Sequence, residues 1–313
     1  MTSFNKFYDM VLFHYPCQDG LSAAWVVTNY HRENNRTIEL YPISHGKSID
    51  INMLKNKKII MCDYSPQIDV LEQIEQVAYS ITILDHHITA KNALESKPYA
   101  IFDMSKSGAG LTWEYFYPEK PMGEFIQMIQ DRDLWKWEIS GSKEFTAGLF
   151  TMCSTIDPYD FDKLFELFNG MYTDSSKVQY YSELGKIISI ITDNKAKALG
   201  DDHCKTISKY EFAGRTYNVC VVNCWADITS ETGNYLSQME QIDFAVLWRY
   251  HHPSGEFYVS LRSTGDINVS VIAKSFGGGG HPNAAGFSTK IFPPTLFMPL
   301  FEQKINNQTQ LEN

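Results

Sequence analysis

This 313-residue chain lacks several things, and each absence removes a class of function. No run of about eighteen apolar residues occurs, so the sequence offers no membrane-spanning helix. The opening MTSFNKFYDM lacks the basic-then-apolar pattern of a secretory signal, which makes the cytoplasm the expected compartment. The six cysteines (Cys17, Cys62, Cys153, Cys204, Cys220 and Cys224) form no C-x-x-C pair. In a chain too large to need staples they read as reduced, mostly buried thiols. Positive charge is scarce: 27 Lys and Arg face 37 Asp and Glu, a net charge of −10, and no basic stretch exceeds the 55–58 region. A long polyanion is therefore disfavoured as a partner, because neutralising its phosphates supplies most of the affinity for one. A small anion stays admissible, since local cations decide its binding. Internal repeats and low-complexity segments are also missing.

What is present suits a globular protein, 43% hydrophobic and 14% aromatic, with length for one large domain or two ordinary ones. In the first half, MVLF (10–13), KIIMC (58–62) and SITIL (80–84) read as buried strands. Helix patterns lie between them, at 20–31 and after Ser65-Pro66, where Ser65 reads as the N-cap. This alternation predicts a parallel sheet with helices on both faces. From 121 to 199 the pattern is mainly helical, and the charged stretch 193–202 reads as an interdomain connection. Strands resume with TYNVCVVNC, DFAVLWRY and FYVSLRS, with helix candidates at 230–241 and 268–276. The fold class expected is α/β in two α/β domains: an N-terminal parallel-sheet domain over 1–195, a helical linker, and a smaller mixed-sheet domain over 205–305. The polar tail 306–313 is expected to fray.

Acidic and imidazole residues recur at the ends of the predicted strands. His14, Cys17 and Asp19 follow the first strand, Asp63 follows the second, and Asp85-His86-His87 follow the third. Asp131 and Asp133 follow the helical run FIQMIQ. Strand carboxyl ends in a parallel sheet share one edge, where ligands bind, so four clusters would meet there. One aspartate after a strand is more often a helix cap than a ligand; four such clusters resist that explanation. Phosphodiester cleavage needs a nucleophile near neutral pH and positive charge for the developing oxyanions, and two divalent ions supply both. Carboxylates and imidazoles suit Mn²⁺ or Mg²⁺ better than a thiolate-rich zinc site would. Two look-alikes are set aside: His251-His252 reads as a solvated hairpin turn, and Asp201-Asp202-His203 falls in the linker. In the second half, Gly278, Gly279 and Gly280 precede His281-Pro282-Asn283, and such consecutive glycines can form an anion-binding nest. Arg262, ending a predicted strand, can add a charged fork.

The ordered set of His14…Asp19, Asp63, Asp85-His86-His87 and Asp131 resembles the four motifs of the DHH phosphoesterase superfamily, and GGGGHPNAAG resembles the hallmark of its associated C-terminal domain. The resemblance runs from about 9 to 290. It implies a catalytic metal-binding domain and a substrate-binding domain, with two divalent ions, Mn²⁺ first and Mg²⁺ or Co²⁺ next. Carried over, His14 and Asp63 would hold one ion, and Asp19, Asp63, His86 and Asp131 the other. Asp85 would orient His86, and His87 would face the scissile phosphate. Arg262, Gly278, Gly279, Gly280, His281 and Asn283 would hold substrate, and Arg262 would also act in catalysis by stabilising the developing charge. Many relatives carry an aspartate where this chain has Cys17, which could ligate the first ion or merely pack beside it. The implied activity is hydrolysis of short oligonucleotides or small nucleotides to nucleoside monophosphates, as an oligoribonuclease or exonuclease acts. Pyrophosphate or polyphosphate hydrolysis, or an inactive nucleotide sensor, are the alternatives. The partner expected is that small substrate, with no long nucleic acid and no membrane, and a homodimer is an admissible assembly.

Overall fold

The computed structural model describes residues 6–44, 47–204 and 207–298. The tail 306–313 and the outer limits 205 and 305 of the expected second domain lie outside them. The chain divides into two compact units, Met1–Ser189 and Ile190–Asn313.

The first unit is built on five parallel strands: β1 (Met10–His14), β2 (Glu39–Ile43), β3 (Lys58–Cys62), β4 (Ser80–Asp85) and β5 (Ala100–Phe102), in the order β2-β1-β3-β4-β5. Alternation along each central strand feeds two cores. Val11, Phe13, Ile60, Cys62 and Leu84 pack on one face, and Met10, Leu12, Ile59, Met61 and Ile83 on the other. Each large side chain so buried contributes about 1.5–3 kcal/mol before entropic costs. Helices cover both faces, as a parallel sheet requires. The helices of this part of the chain are α1 (Gln18–Glu33), α2 (Ile68–Val77), α3 (Ile88–Leu94), α4 (Gly108–Phe116) and α5 (Glu124–Asp133). The chain runs from β1 to β2 on one side and resumes with β3 on the other. The carboxyl ends of β1 and β3 therefore flank a topological switch point, where open α/β sheets bind ligands.

Helices α6 (Ser142–Ser154), α7 (Phe161–Thr173) and α8 (Ser176–His203) follow. The stretch 193–202, expected to be a connection, is helical throughout, and the division between units falls inside α8. No described helix is long and apolar enough to cross a membrane.

The second unit holds a mixed six-stranded sheet, as expected. Its strands are β6 (Ile207–Phe212), β7 (Arg215–Asn223), β8 (Phe244–His251), β9 (Glu256–Ser263), β10 (Gly279–His281) and β11 (Ala284–Thr289), in the order β10-β11-β9-β8-β7-β6. Only the β7–β8 pair is parallel among these. Helices α9 (Thr229–Ser237), α10 (Ser270–Ser275) and α11 (Pro293–Phe297) pack against it.

Candidate active site

Asp63 leaves the end of β3 with φ 54°, a left-handed conformation that an aspartate tolerates better than most residues. The turn aims its carboxylate across the carboxyl edge of the sheet. His14, the last residue of β1, places Nδ1 3.4 Å from Asp63 Oδ2, and His86, just past β4, places Nε2 3.2 Å from Oδ1. Asp19, in the first turn of α1, lies 3.8 Å from His86 Nε2. Both oxygens of Asp19 are held by the N-terminus of α4, accepting from Gly108 N at 2.6 Å and Ala109 N at 3.0 Å. That close approach demands glycine: a Cβ on Gly108 would sit 2.4 Å from Asp63 Cβ and 2.8 Å from Asp19 Oδ2.

The donor atoms fall into close groups. Those of His14, Cys17 and Asp63 lie within 4.8 Å of one another, and so do those of Asp19, His86 and Asp133. The fourth carboxylate at the edge is thus Asp133, which ends α5, with Oδ2 3.5 Å from His86 Nε2. Asp131, the residue expected there, is turned elsewhere. Its oxygens accept from Glu138 N at 2.9 Å, Ile139 N at 3.2 Å and Ser142 Oγ at 2.5 Å, which spends the carboxylate on fixing the turn after α5. Residues two apart lie roughly 200° apart around a helix, so only one of the pair can face the sheet edge, and the sequence does not say which.

A second expectation is corrected at Asp85. Its Oδ1 accepts from His86 N at 2.7 Å but also from His87 Nδ1 at 2.7 Å, while Ser65 Oγ donates to Oδ2 at 2.5 Å. Asp85 therefore orients the ring of His87, not that of His86. Ser65 is engaged here and does not cap α2, which begins at Ile68 after Gln67. Gly108 and Ser65 are positions that sequence reasoning did not assign to the site. Glycine opening a helix after Ser107, an N-cap residue, was the available signal for the first.

The electrostatics explain what this pocket calls for. Burial pushes Asp19 well above the usual carboxylate range, and repulsion from Asp133 and Asp63 adds to it. Burial opposes ionisation of Asp63 too, but hydrogen bonds from His14 and His86 outweigh it and hold that carboxyl low. Burial likewise works against charge on His14 and His86, yet their bonds to Asp63 dominate and push both up to about 11. Cys17 is pushed up by burial, against a hydrogen bond with His14. Three clustered carboxylates thus need compensating positive charge, which protons or a divalent cation can supply. The chemistry of the donors fits a cation, being carboxylates and imidazoles with one thiol. Asp133 Oδ2 supports the same conclusion: it is sealed from solvent, and no described residue donates a hydrogen bond to it.

In the second unit, register places His281, Ala284, Arg262 and Ala245 in one row across β10, β11, β9 and β8, hence on one face of the sheet. Arg262 Nη2 donates to Ser230 Oγ at 3.2 Å, in the first turn of α9. The glycine segment is not an open nest. Gly279, Gly280 and His281 pair with β11, and Gly280 has φ 135°, with the position of a Cβ 2.6 Å from Ala284 O. Asn283, expected to touch substrate, spends its amide on Ser263 Oγ at 3.0 Å and on the carbonyls of Gly265 at 3.1 Å and Ile267 at 3.3 Å. It pins the hairpin turn.

Residues 216–304 match the DHHA1 domain family. An uncharacterised protein, R106, of Acanthamoeba polyphaga mimivirus is 33% identical over 90% of this chain and 67% of its own length. A 3′,5′-cyclic-nucleotide phosphodiesterase of Helicobacter pylori is 23% identical over 66% of this chain and 67% of its own. Oligoribonuclease NrnB of Bacillus subtilis is 25% identical over 66% of this chain, which spans 52% of that relative. Among solved structures, exonuclease RecJ bound to manganese superposes with a TM-score of 0.52 at 13% identity, over 95% of this chain and 88% of that one, a likeness of fold. Taken with the order of its acidic and imidazole motifs along the parallel sheet, these matches make the chain a member of the DHH phosphoesterase superfamily.

Proposed function

We propose that this protein hydrolyses phosphodiester bonds in small nucleotides or very short oligonucleotides, releasing nucleoside monophosphates with the help of divalent cations, Mn²⁺ foremost. The observation that carries this reading is the sharing of Asp63 between His14 and His86, with Asp19 and Asp133 beside the latter. His14, Cys17 and Asp63 would hold one cation, and Asp19, Asp63, His86 and Asp133 the other. When bound, such ions supply Lewis acidity toward phosphoryl oxygens and make hydroxide available near neutral pH. The relatives named as a cyclic-nucleotide phosphodiesterase and an oligoribonuclease support a nucleotide substrate.

The chain's own residues then have distinct tasks. Asp85 accepts the Nδ1 proton of His87, which leaves Nε2 to hand a proton to the departing oxygen. Gly108 and Ala109 fix Asp19 through main-chain donors, so a ligand rotamer is set before any ion arrives. Residues 205–305 would form the substrate-binding part, with Arg262 and His281 on one sheet face taking a phosphate and residues 1–195 carrying the chemistry. The Gly278, Gly279 and Gly280 segment would serve as the backbone of that face.

The test is incubation with Mn²⁺ against 5′-phosphorylated di- to pentanucleotides, cyclic dinucleotides, 3′-phosphoadenosine phosphates, pyrophosphate and polyphosphate. Nucleoside monophosphates should appear from the shortest oligonucleotides. Asp63→Asn should abolish turnover while the protein stays folded, and full activity in that variant would refute the shared-carboxylate assignment. His281→Ala should weaken substrate binding and leave metal content intact.

A further inference from the structure

The two cation positions proposed above are not built from the same atoms. Asp63 touches a histidine at each, but its companions at one position are His14 and Cys17, and at the other Asp19, His86 and Asp133. One position thus offers nitrogen, sulfur and oxygen; the other offers three carboxylates and an imidazole. Cys17 also stands apart from the other five cysteines. Cys62, Cys220 and Cys224 lie in the hydrophobic cores, and Cys153 and Cys204 pack against them, as small apolar side chains do. Cys17 belongs to none of these clusters among the described residues. It occupies the N-cap of α1, where serine, threonine, aspartate or asparagine would hold the first main-chain N–H groups, and its side chain makes no such bond. The thiol is hydrogen-bonded with His14, and its sulfur lies within 4.8 Å of the donor atoms of His14 and Asp63.

We infer that Cys17 makes the first cation position selective for a thiophilic ion, Zn²⁺ or Co²⁺, while the second keeps Mn²⁺ or Mg²⁺. The centre then fills with an unlike pair when both kinds of ion are offered. The inference deepens the proposed function and rests on its two cations. Sulfur is a soft donor that selects zinc-like ions, whereas carboxylate oxygen suits manganese and magnesium. Three protein donors with a place left for water is also the usual make-up of a catalytic zinc site. Mn²⁺ still fills both positions when it is the sole ion supplied. Divalent affinity rises from Mn²⁺ to Zn²⁺ at most sites, so tight zinc binding alone proves little. The mark of Cys17 is a contrast between the two positions that disappears when the sulfur is replaced.

The experiment titrates the metal-free protein with Co²⁺ and follows its absorption. The first equivalent should raise a near-ultraviolet thiolate-to-cobalt charge-transfer band, and the second should add nothing to it. Cys17→Ser should bind Co²⁺ without the band. A second measurement offers Zn²⁺ and Mn²⁺ together and counts the ions retained by elemental analysis. The unmutated protein should keep both, in about equal amounts. In Cys17→Asp, which restores the carboxylate of many relatives, the preference for zinc at the first position should fall at least about tenfold, since even the partners of a ligand are worth roughly 10–100-fold in metal affinity. Co²⁺ bound with no thiolate band, a band that survives Cys17→Ser, or an unchanged zinc preference in Cys17→Asp overturns the inference. Absence of any bound cation sinks it together with the proposed centre. A band without turnover of any diester would leave the selectivity standing and sink the hydrolytic reading. Turnover by the Co²⁺-loaded protein with no band would do the reverse.

Discussion

At the scale of single residues, two aspartates separated by one position carry opposite duties. Asp131 accepts three hydrogen bonds that fix the turn after α5, and Asp133 faces His86 with an oxygen that accepts none among the described residues. Asp131→Ala should therefore cost about 1–3 kcal/mol of stability, read as a lower Tm, because the main-chain donors it satisfies lose their partner. Asp133→Asn should leave Tm unchanged or raise it, since it removes a carboxylate that repels Asp19, while weakening Mn²⁺ binding at least about tenfold. The opposite pattern, with metal affinity tracking Asp131, would restore the sequence-based assignment. That assignment failed for a specific reason. Residue type and spacing locate an acidic cluster, but the helix phase that separates ligand from cap depends on the turn that follows. The imidazoles were legible because each ends or follows a strand whose direction the sequence makes plain.

At the scale of elements, the site is a product of strand ends meeting helix starts. His14 closes β1, Asp63 follows β3, Asp85 closes β4, and α4 opens on Asp19. The strands were readable from their apolar runs. The edge strands β2 and β5 were not, because their burial is partial and their apolar alternation is weak. The hairpin of β10 and β11 was hidden for another reason: its glycines look like a loop until a neighbouring strand demands their missing Cβ atoms. The turn after β4 yields a pH prediction. Burial disfavours charge on His87, but the Asp85 carboxylate, itself held down to about 2, outweighs this and raises the imidazole. If His87 is the proton donor, activity falls as pH rises through its pKa. Asp85→Asn removes the anion, so the alkaline limb should move to lower pH and kcat should drop roughly 10²–10⁴-fold. An unmoved limb in a pH–rate profile would exclude His87 as the donor.

At the scale of the molecule, scarcity of positive charge limits what can be bound. The net charge is −10, and the second unit, with ten Lys and Arg against twelve Asp and Glu, carries no excess of cations. Arg249 stacks over Tyr258, and Arg262 reaches Ser230 near the start of α9. Hydrolysis should therefore decline steadily from dinucleotides to decanucleotides, with a shallow dependence on salt, when rates are compared by chromatography of the products. A rate rising with length, or falling steeply with salt, would indicate an extended electrostatic track.

In the proposed mechanism Asp63 would stand between two cations. Anomalous diffraction at the manganese edge, from crystals equilibrated with Mn²⁺, tests it most directly. Two peaks flanking the Asp63 carboxylate are expected, one beside His14 and Cys17 and the other beside Asp19, His86 and Asp133. A pocket without peaks, or an ion beside Asp131 in place of Asp133, would contradict it.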